Sequence, residues 1–313
     1  MLKPAMKFIT IAAASALVLA ACSSGTTDQA SEGTTDTSGE LTIGLSLATL
    51  NIPFFVSVRD GAQAAADAAG VTLVVTDARD DATQQANQIQ NFQAQQLDGV
   101  LINSVDSDAA GPIVAPLLSA GIPVVAVDRG VNGADVDATI ASDNVAGGRI
   151  AADALAKAIG EKGSIIVLQG VAGTSASRDR GKGFSEGIAA YPDITVVATQ
   201  PADFDRAKGL DVATNLLQAH SDAVGIFAEN DEMALGAIQA LGDRAGTSVF
   251  VVGFDGSDDA MTAITAGTMY ASIAQQPEEL GKSAVETILA LIKGDTVEVS
   301  VAVPVVAVTK DSM

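Results

Sequence analysis

The chain has no tryptophan, and only one cysteine, one histidine and two tyrosines. With Cys22 alone, neither an intramolecular disulfide nor a cysteine-rich metal cluster can form. His220 alone excludes paired-histidine zinc motifs and leaves little for acid–base chemistry at neutral pH. Basic residues are also scarce: 17 Lys and Arg stand against 38 Asp and Glu, for a net charge of −21. A surface this acidic repels phosphate backbones, which argues against a nucleic-acid partner. No metal or cofactor is implied. What is present is apolar and glycine-rich, with 48% hydrophobic residues and 30 glycines in 313 residues. That is too apolar for disorder, and at about 150 residues per domain the length suggests two domains.

The N-terminus reads as an address followed by a tether. Residues 1–7 carry Lys3 and Lys7 and no acid, and residues 8–20 are mostly apolar. The apolar stretch is shorter than the roughly 20 residues of a spanning helix, so residues 1–21 read as a secretory signal peptide. Its ending, Leu19-Ala20-Ala21-Cys22, resembles the bacterial lipobox. That resemblance makes Cys22 the site of lipid attachment and the first mature residue; an ordinary small residue at a soluble-protein cleavage site is the alternative. Residues 22–40 then form the lipidated cysteine and a polar Gly/Ser/Thr-rich linker that lacks large hydrophobes. Removing residues 1–21 takes the net charge from −21 to −23. No later stretch is both long and apolar enough to span a membrane.

From Leu41 onward short apolar runs alternate with helical segments. The runs are 41–47, 72–76, 99–103, 123–127, 164–168, 194–199, 224–228 and 248–254. They are continuous in Val, Ile and Leu, as expected for strands covered on both faces. Over 54–69, Phe55, Val58, Ala62, Ala65, Ala66 and Ala69 share one helical face, with Pro53 suited to the first turn. Such alternation predicts the α/β class, with parallel sheets and right-handed crossovers. Four units before about residue 128 and four after 163 predict two doubly wound lobes, with 138–144 as the candidate crossover.

In open parallel sheets, ligands bind beyond the carboxyl ends of the strands. The residues leaving the runs here are Asn51, Asp77, Asn103, Asp128-Arg129, Gln169, Asn230-Asp231 and Asp255. Taken singly, each is explained as well by helix capping or turn formation. As a set they supply amides, carboxylates and guanidinium, the chemistry that satisfies sugar hydroxyls. Phe54, Phe55, Phe204 and Phe254 lie beside them in sequence, suited either to stacking on a sugar's C–H face or to an ordinary core. Arg178 and Arg180 point different ways on a helix, so at most one reaches a given site. For Arg178 the reading is a solvated charged turn.

Several motif searches fail usefully. Gly281-Lys282-Ser283 lacks a glycine five residues upstream, where Gln276 stands, so there is no phosphate cradle. The glycines at 181, 183 and 187 miss the dinucleotide spacing and follow no strand. His220 falls between a helix and a strand, at a helix C-terminus. Asp128 and Asp255 could in principle serve as glycosidase carboxylates, but each has an arginine for a partner. An enzyme is therefore not expected. A repressor is disfavoured by a signal peptide where a basic helix-turn-helix would stand.

Taken together, the segments 49–63, 101–109, 121–130, 140–144, 168–184, 200–210, 229–238, 251–256 and 273–277 resemble the D-ribose-binding proteins. These are substrate-binding components of ABC transporters, within the periplasmic sugar-binding proteins of type I. The resemblance runs from about Leu41 to the C-terminus. It implies two lobes joined by three crossing segments, with 41–142 plus 276–303 in one and 143–275 plus 304–313 in the other. It also implies a monomer outside the cytoplasm, held to the membrane only by its lipid, that closes on a monosaccharide and delivers it to a permease. A receptor for another furanose-like ligand such as autoinducer-2, serving sensing rather than uptake, is the alternative.

Carried over by motif, the polar ligand contacts fall on Asp128, Arg129, Arg180, Asn230, Asp255 and Gln275. The stacking rings fall on Phe54, Phe55 and Phe204, with Asn103 and Phe254 lining the site. Arg180 and Gln275 rest on the resemblance alone. One position departs: the family usually reads Leu-Asn-Asn-Pro-Phe-Phe, and here Ile52 replaces the second Asn. Losing one neutral hydrogen bond costs about 0.5–1.5 kcal/mol, and stranding a buried hydroxyl about 1–3 kcal/mol. Ribose then binds more weakly, or a water fills the gap, or the ligand lacks a hydroxyl there. Ile52 also suits a hydrophobic staple at the helix start.

Overall fold

The computed structural model describes residues 41–313; the signal peptide, Cys22 and the linker expected at 1–40 lie outside the described residues. All eight apolar runs are strands, and they divide between two six-stranded sheets. The first sheet takes β1 (Thr42–Leu47), β2 (Thr72–Asp77), β3 (Gly99–Ile102), β4 (Val124–Val127) and β5 (Ala138–Ser142), in the order β5-β4-β3-β1-β2. The second takes β6 (Gly163–Gln169), β7 (Ile194–Pro201), β8 (Ala223–Ala228), β9 (Phe250–Asp255) and β10 (Ala271–Ala274), in the order β10-β9-β8-β6-β7. The sixth strands are β11 (Ser300–Val303), parallel to β5, and β12 (Val306–Thr309), antiparallel to β10. All other pairings within both sheets are parallel.

Four strands went unread in the sequence. β10, β11 and β12 have four residues each, too few for a periodic signal to rise above a turn. The candidate crossover 138–144 is itself mostly β5, with Ala138, Ile140 and Ser142 buried in strict alternation. The chain leaves the first sheet only at Asp143. Its carboxylate accepts from the Ala146 N–H at 3.0 Å and so caps α4 (Asn144–Ile159), which packs on the second sheet.

Two more passages link the lobes. After β10 the chain returns through Gln276 into α9 (Pro277–Ile292). Leu280, Ala284, Val285, Ile288 and Leu289 of that helix enter the core of the first lobe. Between β11 and β12, Val303 belongs to the first core and Val305 to the second, with Pro304 between. The Gln276 side-chain amide donates to the Pro304 carbonyl at 2.9 Å, tying these two passages together. Three short strands of backbone are all that connects the two cores, which is the geometry of a hinge.

Helix α1 (Pro53–Ala69) shows how local sequence places the site. Pro53 starts it, where a missing N–H is harmless, and Gly70 ends it at φ 68°. Phe55, Val58, Ala62 and Ala66 are buried, whereas Ala69 of the expected face is exposed because it sits in the last turn. In the second lobe, α4 and α5 (Ser175–Ile188) touch backbone to backbone. A Cβ added at Gly148 would lie 2.2 Å from the Arg180 carbonyl oxygen and 2.6 Å from the Phe184 nitrogen.

Gly148→Ala must therefore push α5 away from α4. Overpacking of this kind costs about 1–3 kcal/mol. A thermal melt followed by circular dichroism should show a midpoint several degrees lower, and an unchanged midpoint would mean the helices are not in contact there.

Candidate functional site

The carboxyl ends of β3, β4, β6, β8 and β9 converge where the two lobes meet. There lies a narrow chamber with a cavity volume of about 20 Å³, walled by Ile52, Phe54, Phe55, Asp128, Arg129, Ala176, Arg180, Phe204, Asn230 and Asp255. With the lobes closed as here, a space of that size holds about one water. Asp128, Arg129 and Arg180 are 3%, 3% and 4% exposed, so the charges face one another with little water between.

Each guanidinium is held by rings and carbonyls. Arg129 donates through Nη1 to the Ser104 carbonyl at 3.1 Å, and its Nε lies 3.9 Å from Asp128 Oδ2. It stands 5.0 Å from the Phe55 ring centroid and 5.6 Å from that of Phe204. Arg180 donates through Nε to Asn144 Oδ1 at 2.8 Å and through Nη1 to the Glu229 carbonyl at 2.7 Å. The same Nη1 is 3.5 Å from Asp255 Oδ1, and the guanidinium lies 3.9 Å above the Phe254 ring. Aromatic faces attract cations and shield them from water, so these rings aim the arginines as well as bounding the chamber.

The backbone bends sharply at three of these residues. Asp128 has φ 63°, Phe204 φ 59° and Asp255 φ 128°. At Asp128 the Arg129 N–H donates to the Val127 carbonyl at 2.7 Å, closing a three-residue turn. Such conformations cost of order 1–3 kcal/mol each and persist only where the surroundings impose them. Phe204 is pinned in this way: a Cβ on Gly170 would fall 2.0 Å from its ring, so only glycine fits beneath it.

The residues expected from the sequence separate into two layers. Phe54, Phe55, Asp128, Arg129, Arg180, Phe204, Asn230 and Asp255 face the chamber. Asn103, Phe254 and Gln275 stand behind it. Asn103 is fully buried; it accepts from the Ala48 N–H and donates to the Val127 carbonyl and to Asp128 Oδ2 at 3.2 Å. Gln275 donates to Asp255 Oδ1 at 2.7 Å. Asn230 caps α7 (Asp231–Leu241) by accepting from the Met233 N–H and donates to the Phe204 carbonyl, leaving one amide hydrogen uncommitted. Asp128 Oδ1, Arg129 Nε and Gln275 Oε1 are buried with no hydrogen-bond partner.

Two local readings are corrected. Ile52 is not a staple: it occupies the capping position of α1 without a capping bond and packs on the core of the opposite lobe. Arg178 is solvated and outside the chamber as expected, but it lies on α5 rather than in a turn and reaches across to Asp108 of the first lobe at 3.1 Å. The contact is one of several joining the lips of the cleft outside the chamber. Ser107 donates its N–H to the Gly173 carbonyl at 3.1 Å, the Ser175 N–H donates to Ser107 Oγ at 3.1 Å, and the Gly130 N–H donates to Ser175 Oγ at 2.8 Å.

Sequence reading missed Glu229 and Asn144. Glu229 is wholly buried, accepts from the Gly170 N–H at 2.7 Å and from the Ser177 hydroxyl, and supplies the carbonyl that fixes Arg180. Its place at the end of β8 was the available signal, one residue before Asn230. Burial raises its carboxyl from 4.5 to about 7, against the opposing pull of those hydrogen bonds. Burial likewise raises Asp128, and it raises Asp255 well above the ordinary range. Arg180 opposes the rise at Asp255, whereas the nearby Asp231 adds to it.

A small chamber lined by charged, amide and aromatic side chains between two hinged α/β lobes is the arrangement of a solute-binding protein of the two-lobed, closing kind. The model of the periplasmic binding protein domain matches residues 43–296, and the chain belongs to that family. The ribose import binding protein RbsB of Escherichia coli is 47% identical over 269 residues, covering 86% of this chain and 90% of that protein. RbsB of Bacillus subtilis is 42% identical, covering 85% and 86%. An ABC transporter periplasmic solute-binding protein from Actinobacillus succinogenes, solved with bound D-allose, superposes with a TM-score of 0.82. It is 32% identical, covering 87% of this chain and 99% of that one. No helix among the described residues is long and apolar enough to cross a membrane.

Two outcomes follow from this geometry. Below about pH 4.5 the Glu229 carboxyl is protonated whether the chain is folded or not; between there and about 7 the unfolded chain ionises first, so stability falls as the pH rises. Glu229→Gln should flatten that fall by about 3 kcal/mol across the window, read from melts at pH 5 and 7.5. An identical slope would place the carboxyl in water. At the lips, Ser175→Ala leaves the Gly130 N–H unpaired on closure at a cost of about 0.5–1.5 kcal/mol. Stopped-flow measurements should show ligand leaving a few-fold faster with little change in association; slower association alone would contradict the contact.

Proposed function

We propose that this chain is an extracytoplasmic solute-binding protein that closes on one monosaccharide, D-ribose first among them, and delivers it to an ABC permease. The observation that carries the proposal is the chamber itself. Two guanidinium groups, two carboxylates and an amide alternate donors with acceptors around a space bounded by three benzyl rings. Sugar hydroxyls both donate and accept, and their C–H faces suit aromatic rings, so this mixture matches a small uncharged carbohydrate. An anionic ligand would meet Asp128 and Asp255 at close range. The names of the relatives at 42–47% identity point to ribose.

The hinge gives the mechanism. Sugar binds to one lobe in the open form and bridges to the other, and the contacts made only on closure shift the equilibrium to the closed form. Arg129 is supplied by the first lobe and Arg180 by the second, so a ligand touching both favours closure. We assign 41–142 with 276–303 to the first lobe and 143–275 with 304–313 to the second. The role is binding, not catalysis, because Asp128 and Asp255 each stand beside a guanidinium and support no acid–base pair. Lipid attachment at Cys22 would hold the monomer at the membrane, with the permease reading the matched lobe surfaces.

A thermal-shift panel of pentoses, hexoses and polyols should show D-ribose raising the melting midpoint most, since only the folded chain binds it. Arg180→Ala should then weaken ribose by more than about 2 kcal/mol, roughly thirtyfold, in a calorimetric titration. Equal affinity in the variant would remove Arg180 from the site, and a panel without any stabilising sugar would remove the sugar.

A further inference from the structure

Arg180, Phe204 and Asn230 reach the chamber from separate parts of the second lobe, and one buried residue outside the chamber touches the support of each. Glu229 directly follows β8 and is wholly buried. Its Oε2 accepts from the Gly170 N–H at 2.7 Å and from the Ser177 hydroxyl. Ser177 lies in the first turn of α5, one turn before Arg180, whose Nη1 donates to the Glu229 main-chain carbonyl at 2.7 Å. Glu229 therefore grips α5 twice, by its side chain at Ser177 and by its backbone at Arg180. Gly170 is the glycine on which the Phe204 ring rests, and Asn230 donates to the Phe204 carbonyl at 3.2 Å. Helix α5 also packs closely over the carboxyl: a Cβ on Gly181 would lie 3.0 Å from Oε1.

We infer that the Glu229 side chain is a positioning residue for ligand binding: by accepting from Gly170 and Ser177 at one oxygen, it fixes where Arg180 and Phe204 stand before a ligand arrives. The inference rests on the sugar-binding reading of the chamber and adds to it a residue that does not line the chamber. A long side chain that has to be ordered on binding costs affinity, so a support that orders Arg180 beforehand raises it. Without an acceptor at position 229, the Gly170 N–H and the Ser177 hydroxyl are buried and unpaired. They regain partners only by moving or by admitting water, and both movements carry walls of the chamber with them. Ser177 takes the turn of α5 that bears Ala176 and Arg180, and Gly170 takes the floor beneath Phe204. An amide at this position keeps an accepting oxygen, whereas an aliphatic chain offers none.

The test is calorimetric titration of D-ribose into wild type, Glu229→Leu, Glu229→Gln and Ser177→Ala, each held well below its melting midpoint. Glu229→Leu should weaken ribose at least about tenfold at unchanged stoichiometry, the scale of one misplaced charge-assisted hydrogen bond. Glu229→Gln should recover most of that loss, to within about threefold of wild type. Ser177→Ala gives up one of the two ties and should cost about threefold, with nothing further when combined with Glu229→Leu. A residue needed only for folding would lower the midpoint of Glu229→Leu while the folded protein bound ribose as wild type does. That result overturns the inference, and so does Glu229→Gln binding as weakly as Glu229→Leu. Should Glu229→Leu not fold, Ser177→Ala decides, and affinity equal to wild type there overturns the inference. Wild type that binds ribose beside unchanged variants sinks this inference alone; wild type that binds no sugar of the thermal-shift panel sinks the sugar reading and this inference with it.

Discussion

Charge buried beside charge is the constraint on which the rest depends. Arg129 lies against Asp128 and Arg180 against Asp255, all four nearly sealed from water. An isolated ion in such a place would be expensive, and a pair repays the cost only if its remaining donors and acceptors are satisfied. The surrounding residues do this in part. Ser104 and Glu229 supply carbonyls, Asn144 an amide oxygen, and Asn103 and Gln275 amide donors to the two carboxylates. What is left over is Asp128 Oδ1, Arg129 Nε and Gln275 Oε1. Incomplete satisfaction is a cost to the empty closed form and an attraction to a ligand that completes it.

That balance explains why the pairs are divided between lobes. Asp128 and Arg129 follow a strand of the first sheet, while Arg180 on α5 and Asp255 at the end of β9 belong to the second lobe. Opening the hinge lets water reach all of them, and closing withdraws it, so closure and polar satisfaction are coupled. Phe204 stands within 6 Å of both guanidinium groups and links the halves through its ring. The contacts among Ser107, Gly130, Gly173 and Ser175 add a smaller, ligand-independent preference for the shut form. The strained turns at Asp128, Phe204 and Asp255 are tolerated because the packed strands beneath leave no alternative path.

How legible this was depends on distance along the chain. The eight long apolar runs announced themselves through Val, Ile and Leu, because a strand buried on both faces has no polar side to show. Asp128-Arg129 and Asn230 stood out because a polar residue ending such a run falls at the carboxyl edge of the sheet. Glu229, by contrast, sits one residue earlier, where its carboxylate reads as a common turn residue. Its burial depends on Gly170 and Ser177, which are more than fifty residues away. Arg178 read as a surface charge, since nothing local points to Asp108 across the cleft.

Ile52 shows the division most plainly. Its neighbours in sequence place it at the start of a helix and forbid it any other backbone. Only the closing of one lobe on the other puts its side chain against a foreign core and the wall of the chamber. Local order along the chain therefore determined the strands, the helices and the class of fold, because those follow from periodicity and from Pro and Gly at their ends. Which polar groups are sealed from water, which face each other and which remain unpartnered was decided by tertiary structure, because solvent exclusion is a property of surfaces brought together from distant parts of the chain.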